Sequence, residues 1–233
     1  MAALDPSRMR LAVVGGTGPQ GRGLGTRFAA AGLAVAIGSR DPERAAAAAD
    51  EVTELAGRLA DDAGTGAVKV EAGANADVVA DADIVVVAVP WSGHAETLGE
   101  LAPLLADKVV VDCVNPLGFD DRGPYPVVVA EGSAAQQAQR LLPGSRVVAA
   151  FHHVSAVLLL DPEVRGIDTD VLVLGDDREV ADQVIALAGT VPGMRGLFAG
   201  RLRNAGQVEA LAANLIAINR RYKAHAGIRV TDV

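Results

Sequence analysis

Short apolar runs closed by glycine or a polar turn alternate, over the first two thirds of the chain, with stretches whose apolar positions recur every three to four residues. The first pattern marks strands buried on both faces; the second marks helices with one apolar side. Residues 10–15 (RLAVVG) read as a strand, and residues 19–31 follow at helical spacing with Leu24, Phe28 and Ala31 on one side. Residues 33–38 are a second strand. Asp41, Pro42 and Glu43 then open a helix with an N-cap, a first-turn proline and an acidic residue at the positive end, and it runs through the alanines at 45–49 toward Leu59. Residues 67–70 are a weak strand, whereas 83–89 (DIVVVAV), 108–113 (KVVVDC) and 146–150 are strong ones, with helices expected at 95–105 and 134–142.

This order is that of a doubly wound parallel sheet. After Phe151 the pattern thins to a strand at 171–174, a helix at 180–188, a short strand at 194–199 and a helix at 207–220. The organisation expected is α/β, with a first domain over 9–150 and a small α/β C-terminal domain over 151–233.

Composition narrows the function classes. Half the residues are apolar, 3% are aromatic, and the net charge of −8 disfavours nucleic acid as a partner. The charge is uneven: from Arg201 onward six basic residues (Arg201, Arg203, Arg220, Arg221, Lys223, Arg229) face two acidic ones, a local +4 that leaves −12 on the first 200 residues. That stretch reads either as a solvated helix with basic flanks or as a docking surface for an anion. The longest apolar run, 84–91, is too short to span a membrane, no signal segment opens the chain, and Cys113 is the sole cysteine. A cytoplasmic location is expected.

Gly16, Thr17, Gly18, Pro19, Gln20 and Gly21 form GxGxxG directly after a strand and at the opening of a helix, the context in which that motif holds a pyrophosphate. This is the fingerprint of a Rossmann domain. At the end of the second strand, where NAD-binding chains place an acid, this one has Ser39 and Arg40, with Arg44 a helical turn on. Arginine and serine offer a 2′-phosphate charge and donors where an acid would repel it, so NADP is expected over NAD; the plainer reading is a surface arginine paired with Asp41 or Glu43. Trp91, after Pro90 at the end of a central strand, reads as core packing or as a cofactor contact. The pair His152-His153 shares no metal-ligand spacing with His94, Cys113 or His225, and no metal site is expected.

GGTGPQGRG, IGSR with Arg44 behind it, VAVPW at 87–91 and VVAAFHHVSA at 147–156 together resemble the F420-dependent NADP reductases from Met9 to near the C-terminus, residues 1–8 being an extension. The resemblance implies hydride transfer between NADP(H) and coenzyme F420, an anionic deazaflavin. It implies that Thr17, Gly18, Pro19 and Gln20 hold the pyrophosphate, that Ser39, Arg40 and Arg44 hold the 2′-phosphate, and that Trp91, Ala156 and Ala226 line the nicotinamide end. His153-Val154-Ser155 departs from the family by lacking its usual proline. Transfer between two carriers needs no nucleophile and no metal, only two flat rings held together, and Pro90, Ala150, Val154 and Ala156 are small and apolar enough to line such a place. His152 reads as a satisfied buried histidine, a ring-positioning donor, or an acid or base. We assign His152 and Val154 to ring positioning, with no acid–base residue. A homodimer is expected from the family and from Leu211, Leu215, Ile216 and Ile218 on the last helix. The competing readings are an NADP-dependent dehydrogenase or imine reductase acting on a small substrate, and a non-enzymatic NADP sensor. Hydroxyacid enzymes need a catalytic lysine in a larger C-terminal domain, and after Phe151 this chain has only Lys223.

Overall fold

The computed structural model describes residues 9–63, 68 and 70–233. Eight strands form one sheet in the order β3-β2-β1-β4-β5-β8-β9-β10. These are β1 (Arg10–Val14), β2 (Ala34–Ser39), β3 (Val70–Ala74), β4 (Ile84–Val87), β5 (Val109–Asp112), β8 (Arg146–Ala149), β9 (Thr169–Gly175) and β10 (Met194–Gly200). The two remaining strands, β6 (Leu117–Asp120) and β7 (Gly123–Pro126), make a separate antiparallel hairpin.

Strands β3, β2, β1, β4, β5 and β8 run parallel, whereas β9 pairs antiparallel with β8 and carries β10 parallel to itself. Successive residues of β1 show why its sequence is an unbroken apolar run: Leu11 and Val13 enter one core, Ala12 and Val14 the other. Four helices cover the first face, namely α1 (Pro19–Ala30), α2 (Pro42–Ala63), α6 (Ala156–Leu160) and α7 (Arg178–Ala188). The opposite face is covered by α3 (Asn75–Ala80), α4 (His94–Leu101), α5 (Ala134–Leu141) and α8 (Ala205–Tyr222). The chain winds outward in both directions from β1 and β4, so a crevice opens beyond their C-terminal ends, the place where sheets of this topology take ligands.

Most elements fall within a residue or two of the sequence expectation. The strand expected at 67–70 is instead Val70–Ala74, a half-exposed edge strand with little apolar signal, and Ala67 and Lys69 lie outside the described residues, as do residues 1–8. Helix α3 and helix α6 are too short for periodicity to announce them, and the hairpin strand GPYP is one glycine and two prolines around a single tyrosine, a composition that strands disfavour. Beyond residue 151 the chain extends the same sheet through β9 and β10, so the expected division at 150/151 meets no break in the strand order.

Candidate functional site

Strand β1 is followed by Gly15, whose positive φ of 70° turns the chain sharply and which lies so close to Val89 that a Cβ would meet its Cγ1 at 2.6 Å. The Gly16 N–H donates to the Gly38 carbonyl at 2.9 Å, tying the turn to the end of β2. On Gly21 a Cβ would sit 2.8 Å from the Gly16 Cα, which is how closely α1 packs on the turn that leads into it. Gly18 differs: beyond its chain neighbours its Cβ would come no nearer than 3.8 Å, to the Gly15 carbonyl oxygen, so the space above it is open. It caps α1 without a side-chain hydrogen bond, and Pro19 follows at the first turn. The helix thereby presents uncapped N–H groups and its positive end to the crevice.

A crevice of about 550 Å³ runs from this turn over Ser39, Arg40, Asp41 and Arg44 on one side to Pro90, Gly93 and Thr97 on the other. Asp41 is the helix cap, its Oδ1 accepting from the N–H groups of Glu43 at 3.0 Å and Arg44 at 3.3 Å. Among the described residues no carboxylate pairs with the guanidinium of Arg40 or Arg44, and both are exposed. Asn75, at the start of α3 and 8% exposed, accepts from the Gly15 N–H at 3.4 Å and closes the floor.

The crevice continues into a hollow of about 220 Å³ that shares Gln20, Ala88, Val89 and Pro90 with it and adds Trp91, Cys113, Val114 and Asn115. Cys113 is no nucleophile here, because burial pushes its thiol well above the usual range and its Sγ donates to the Val87 carbonyl at 3.0 Å. Two long-range hydrogen bonds set the wall. Gln20 Nε2 donates to the Phe151 carbonyl at 3.2 Å, and Asn115 Nδ2 to the His152 carbonyl at 2.8 Å.

Beneath Trp91 lies a buried polar chain. His94 Nε2 is 2.7 Å from Asp112 Oδ2 and its Nδ1 is 3.0 Å from Gln137 Oε1, with both His94 and Asp112 fully buried. Burial by itself would lower the imidazole, but hydrogen bonding and charge from Asp112, then Gln137 and the charge of Glu209, outweigh it and hold His94 above its ordinary value. Glu209 caps α5 from across the fold, accepting from the Ala134 and Ala135 N–H groups at 2.9 and 3.2 Å, and burial pushes it up to about 7. The Trp91 and His94 rings pack against each other with centroids 5.5 Å apart and planes tilted by 34°.

The structure therefore brings Thr17, Gly18, Pro19, Gln20, Ser39, Arg40, Arg44, Pro90 and Trp91 together around one opening, with Gly16 and Gly21 supporting it from behind. Ala150 and Val154 are instead core residues, and His152 is 4% exposed with neither ring nitrogen hydrogen-bonded. Burial pulls His152 down to about 4, so it is a neutral ring at pH 7. The physical reason is the left-handed turn at Phe151, φ 64°, which folds this segment inward and leaves its carbonyls to meet Gln20 and Asn115. Ala156 opens α6, and Ala226, on the tail after α8, donates its N–H to Asn219 Oδ1 within that helix; neither lines the crevice or the hollow. Of the basic C-terminal residues, Arg201 pairs with Asp176, and Arg229 with Asp168 and Asp170, while Arg220, Arg221 and Lys223 stand exposed at the end of α8. Asn75, His94, Asp112, Asn115 and Gln137 escaped the sequence reading; the one available signal was Asp112, a carboxylate inside the run VVVDC.

A family profile described as NADP oxidoreductase, coenzyme F420-dependent, matches residues 10–116. The F420-dependent NADP reductase of Methanothermobacter thermautotrophicus is 41% identical over 230 residues, covering 97% of this chain and 96% of that one. A crystal structure of a candidate F420-dependent NADP reductase from Arthrobacter sp. FB24 superposes with a TM-score of 0.77 at 29% identity, over 96% of this chain and 99% of that one. A pyrroline-5-carboxylate reductase from Coxiella burnetii shares the fold alone, with a TM-score of 0.59 at 15% identity, and this chain spans 67% of it. With a profile match across the fingerprint half and a relative this similar from end to end, the chain belongs to the family of F420-dependent NADP reductases.

Proposed function

We propose that this protein is an oxidoreductase that passes hydride between NADP(H) and coenzyme F420. The observation that carries the reading is the crevice itself, with the uncapped start of α1 at its centre and, at one end, two exposed arginines that pair with no carboxylate among the described residues. Those features suit the two phosphate groups of NADP: backbone N–H groups around Gly18 and Gln20 for the pyrophosphate, and Ser39, Arg40 and Arg44 for the 2′-phosphate. The other end sets the apolar side chains of Ala88, Pro90, Trp91 and Val114 beside the amides of Gln20 and Asn115, a mixed wall that suits the flat ring and carboxamide of a nicotinamide. When bound, the nicotinamide and deazaflavin rings supply the redox chemistry.

The chain's own contribution is positioning. Gln20 and Asn115 are fixed through the carbonyls of Phe151 and His152, and we assign the segment of His152 and Val154 to ring positioning through those backbone contacts. We further propose that residues 9–150 hold NADP and that 151–233 complete the deazaflavin side. The protein works in the cytoplasm as a homodimer in this reading, with no nucleic-acid partner. Exposed Phe119, Tyr125, Ile218 and Tyr222 on the hairpin and α8 favour an intersubunit contact, and no helix among the described residues is long and apolar enough to cross a membrane.

Stopped-flow mixing of NADPH with a panel of acceptors tests the reading. Oxidation by the deazaflavin, with keto acids and imines inert, is expected. Turnover of an imine or keto acid in its place, or binding without turnover, overturns it.

A further inference from the structure

The Gln137 Nε2 donates to Glu131 Oε2 at 3.3 Å, and a carboxylate can only accept, so the amide must present Oε1 to His94. His94 Nδ1 therefore carries a hydrogen. On its other side Asp112 accepts from the Val114 N–H through Oδ1 at 3.0 Å and faces His94 Nε2 through Oδ2. With a carboxylate there, Nε2 carries a hydrogen too. The ring between them packs at a tilt against Trp91, and Trp91 forms part of the hollow into which the crevice continues. An imidazolium at 5.5 Å from an indole lies within the range of a cation–π contact.

We propose that His94 is a positioning residue, a buried imidazolium clamped between Asp112 and Gln137 that holds the Trp91 ring in place at the nicotinamide end of the crevice. The inference rests on the proposed hydride-transfer reading for the identity of that end. The charged or titratable groups around His94 are Asp112 on β5, Glu209 on α8, Glu131 with its partner Arg140 by way of Gln137 on α5, and His152 beside Asp112. Deprotonation as pH rises through the raised His94 value removes one of the two clamping hydrogens and the charge under the indole.

Trp91 is the chain's one tryptophan, so its emission can be read without a label. Protonated imidazole quenches indole more strongly than neutral imidazole does. In the wild-type protein without cofactor, emission should rise about two-fold or more through a midpoint above the ordinary histidine value of 6.5. His94→Gln should be bright and flat. Asp112→Asn, which keeps the shape and removes the charge, should move the midpoint below the ordinary value. Glu209→Gln, the control for the other group that titrates near neutrality, should keep the transition and lower its midpoint. In single turnovers, the hydride-transfer rate of His94→Gln should fall several-fold while NADPH affinity, set by the phosphates, changes less than about two-fold. A flat wild-type profile, a transition that survives unchanged in both His94→Gln and Asp112→Asn, or an unaltered single-turnover rate overturns the role. The emission titration uses no cofactor, so its failure is separate from failure of the acceptor panel.

Discussion

Gln20 and Phe151, 131 positions apart, are joined by a hydrogen bond from the Gln20 Nε2 to the Phe151 carbonyl. The same helix holds the Phe151 ring, because Phe28 meets it edge to face at 5.7 Å. Phe151 has a left-handed backbone, a conformation that costs a residue with a side chain about 1–3 kcal/mol. The buried aromatic pair and the Gln20 bond offset that cost, and the turn aims the next carbonyl, that of His152, at Asn115. The glutamine of the GxGxxG turn is thus fixed by the segment that follows the sixth parallel strand.

The glycines of that turn do different jobs, and substitution should separate them. Gly18→Ala sets its new Cβ against only the Gly15 carbonyl oxygen, at an ordinary contact distance of 3.8 Å, and has a backbone, φ −77° and ψ 161°, that alanine adopts freely. It should leave Tm within about two degrees and weaken NADPH at least about ten-fold. Gly21→Ala forces a Cβ to 2.8 Å from the Gly16 Cα and should lower Tm by several degrees. Thermal melts with and without NADPH check both, and equal stability losses in the two variants would show that Gly18 reserves no space for a cofactor.

Arg40 should select NADP. A charge-assisted hydrogen bond to a phosphate is worth about 1.5–3 kcal/mol, and in the free protein this guanidinium has no ion-pair partner to give up among the described residues. Arg40→Ala should weaken NADPH about 10- to 100-fold and leave NADH nearly unchanged. Equal losses for both cofactors would make Arg40 structural.

His152 should set an acid limit on stability and take no part in proton transfer. Its folded value of about 4 lies below the ordinary 6.5, so the unfolded chain binds more protons between those values. Stability should be unaffected above about pH 6.5 and fall progressively as pH drops toward 4, by up to about 3 kcal/mol for this group. His153, also pulled down to about 4 by burial, adds a loss of the same sign, while Glu209, raised to about 7, works in the opposite direction between 4.5 and 7. His152→Leu removes two unpartnered ring nitrogens at similar volume. It should melt higher than wild type below pH 6, change turnover only a few-fold, and leave every ionisation in the pH–rate profile. A vanished ionisation near neutrality would make His152 an acid or base.

Arg220, Arg221 and Lys223 should receive the anionic tail of the deazaflavin. They are exposed, and Arg220 reaches the tip of the β6–β7 hairpin at Gly123; the hairpin follows directly from Asn115 in the hollow. Charges of this kind are screened over about 8–10 Å at ordinary ionic strength. Neutralising all three should raise the deazaflavin KM several-fold at low salt, flatten its salt dependence, and change NADPH affinity much less. Identical salt titrations of wild type and triple variant would leave the patch a solvated helix end.

Local chemistry was legible in the sequence by itself. The strand–turn–helix at Gly16 to Gly21, the cap at Asp41 and the arginines at 40 and 44 each depend on residues within a few positions of one another, and hydrophobic runs report two-sided burial wherever it occurs. Pattern reports burial and does not name the neighbour. The small apolar residues Ala150 and Val154 suited a ring site equally well as a core, and only the left-handed turn at Phe151 put them in the core. Nor does an apolar run carry direction, so β9 reversing against β8 could not be read from it. Asp112, His94 and Gln137 come from a strand and two helices and have no spacing in common. A buried carboxylate demands a partner, and which one it finds is decided when packing brings α4 and α5 together over the end of β5.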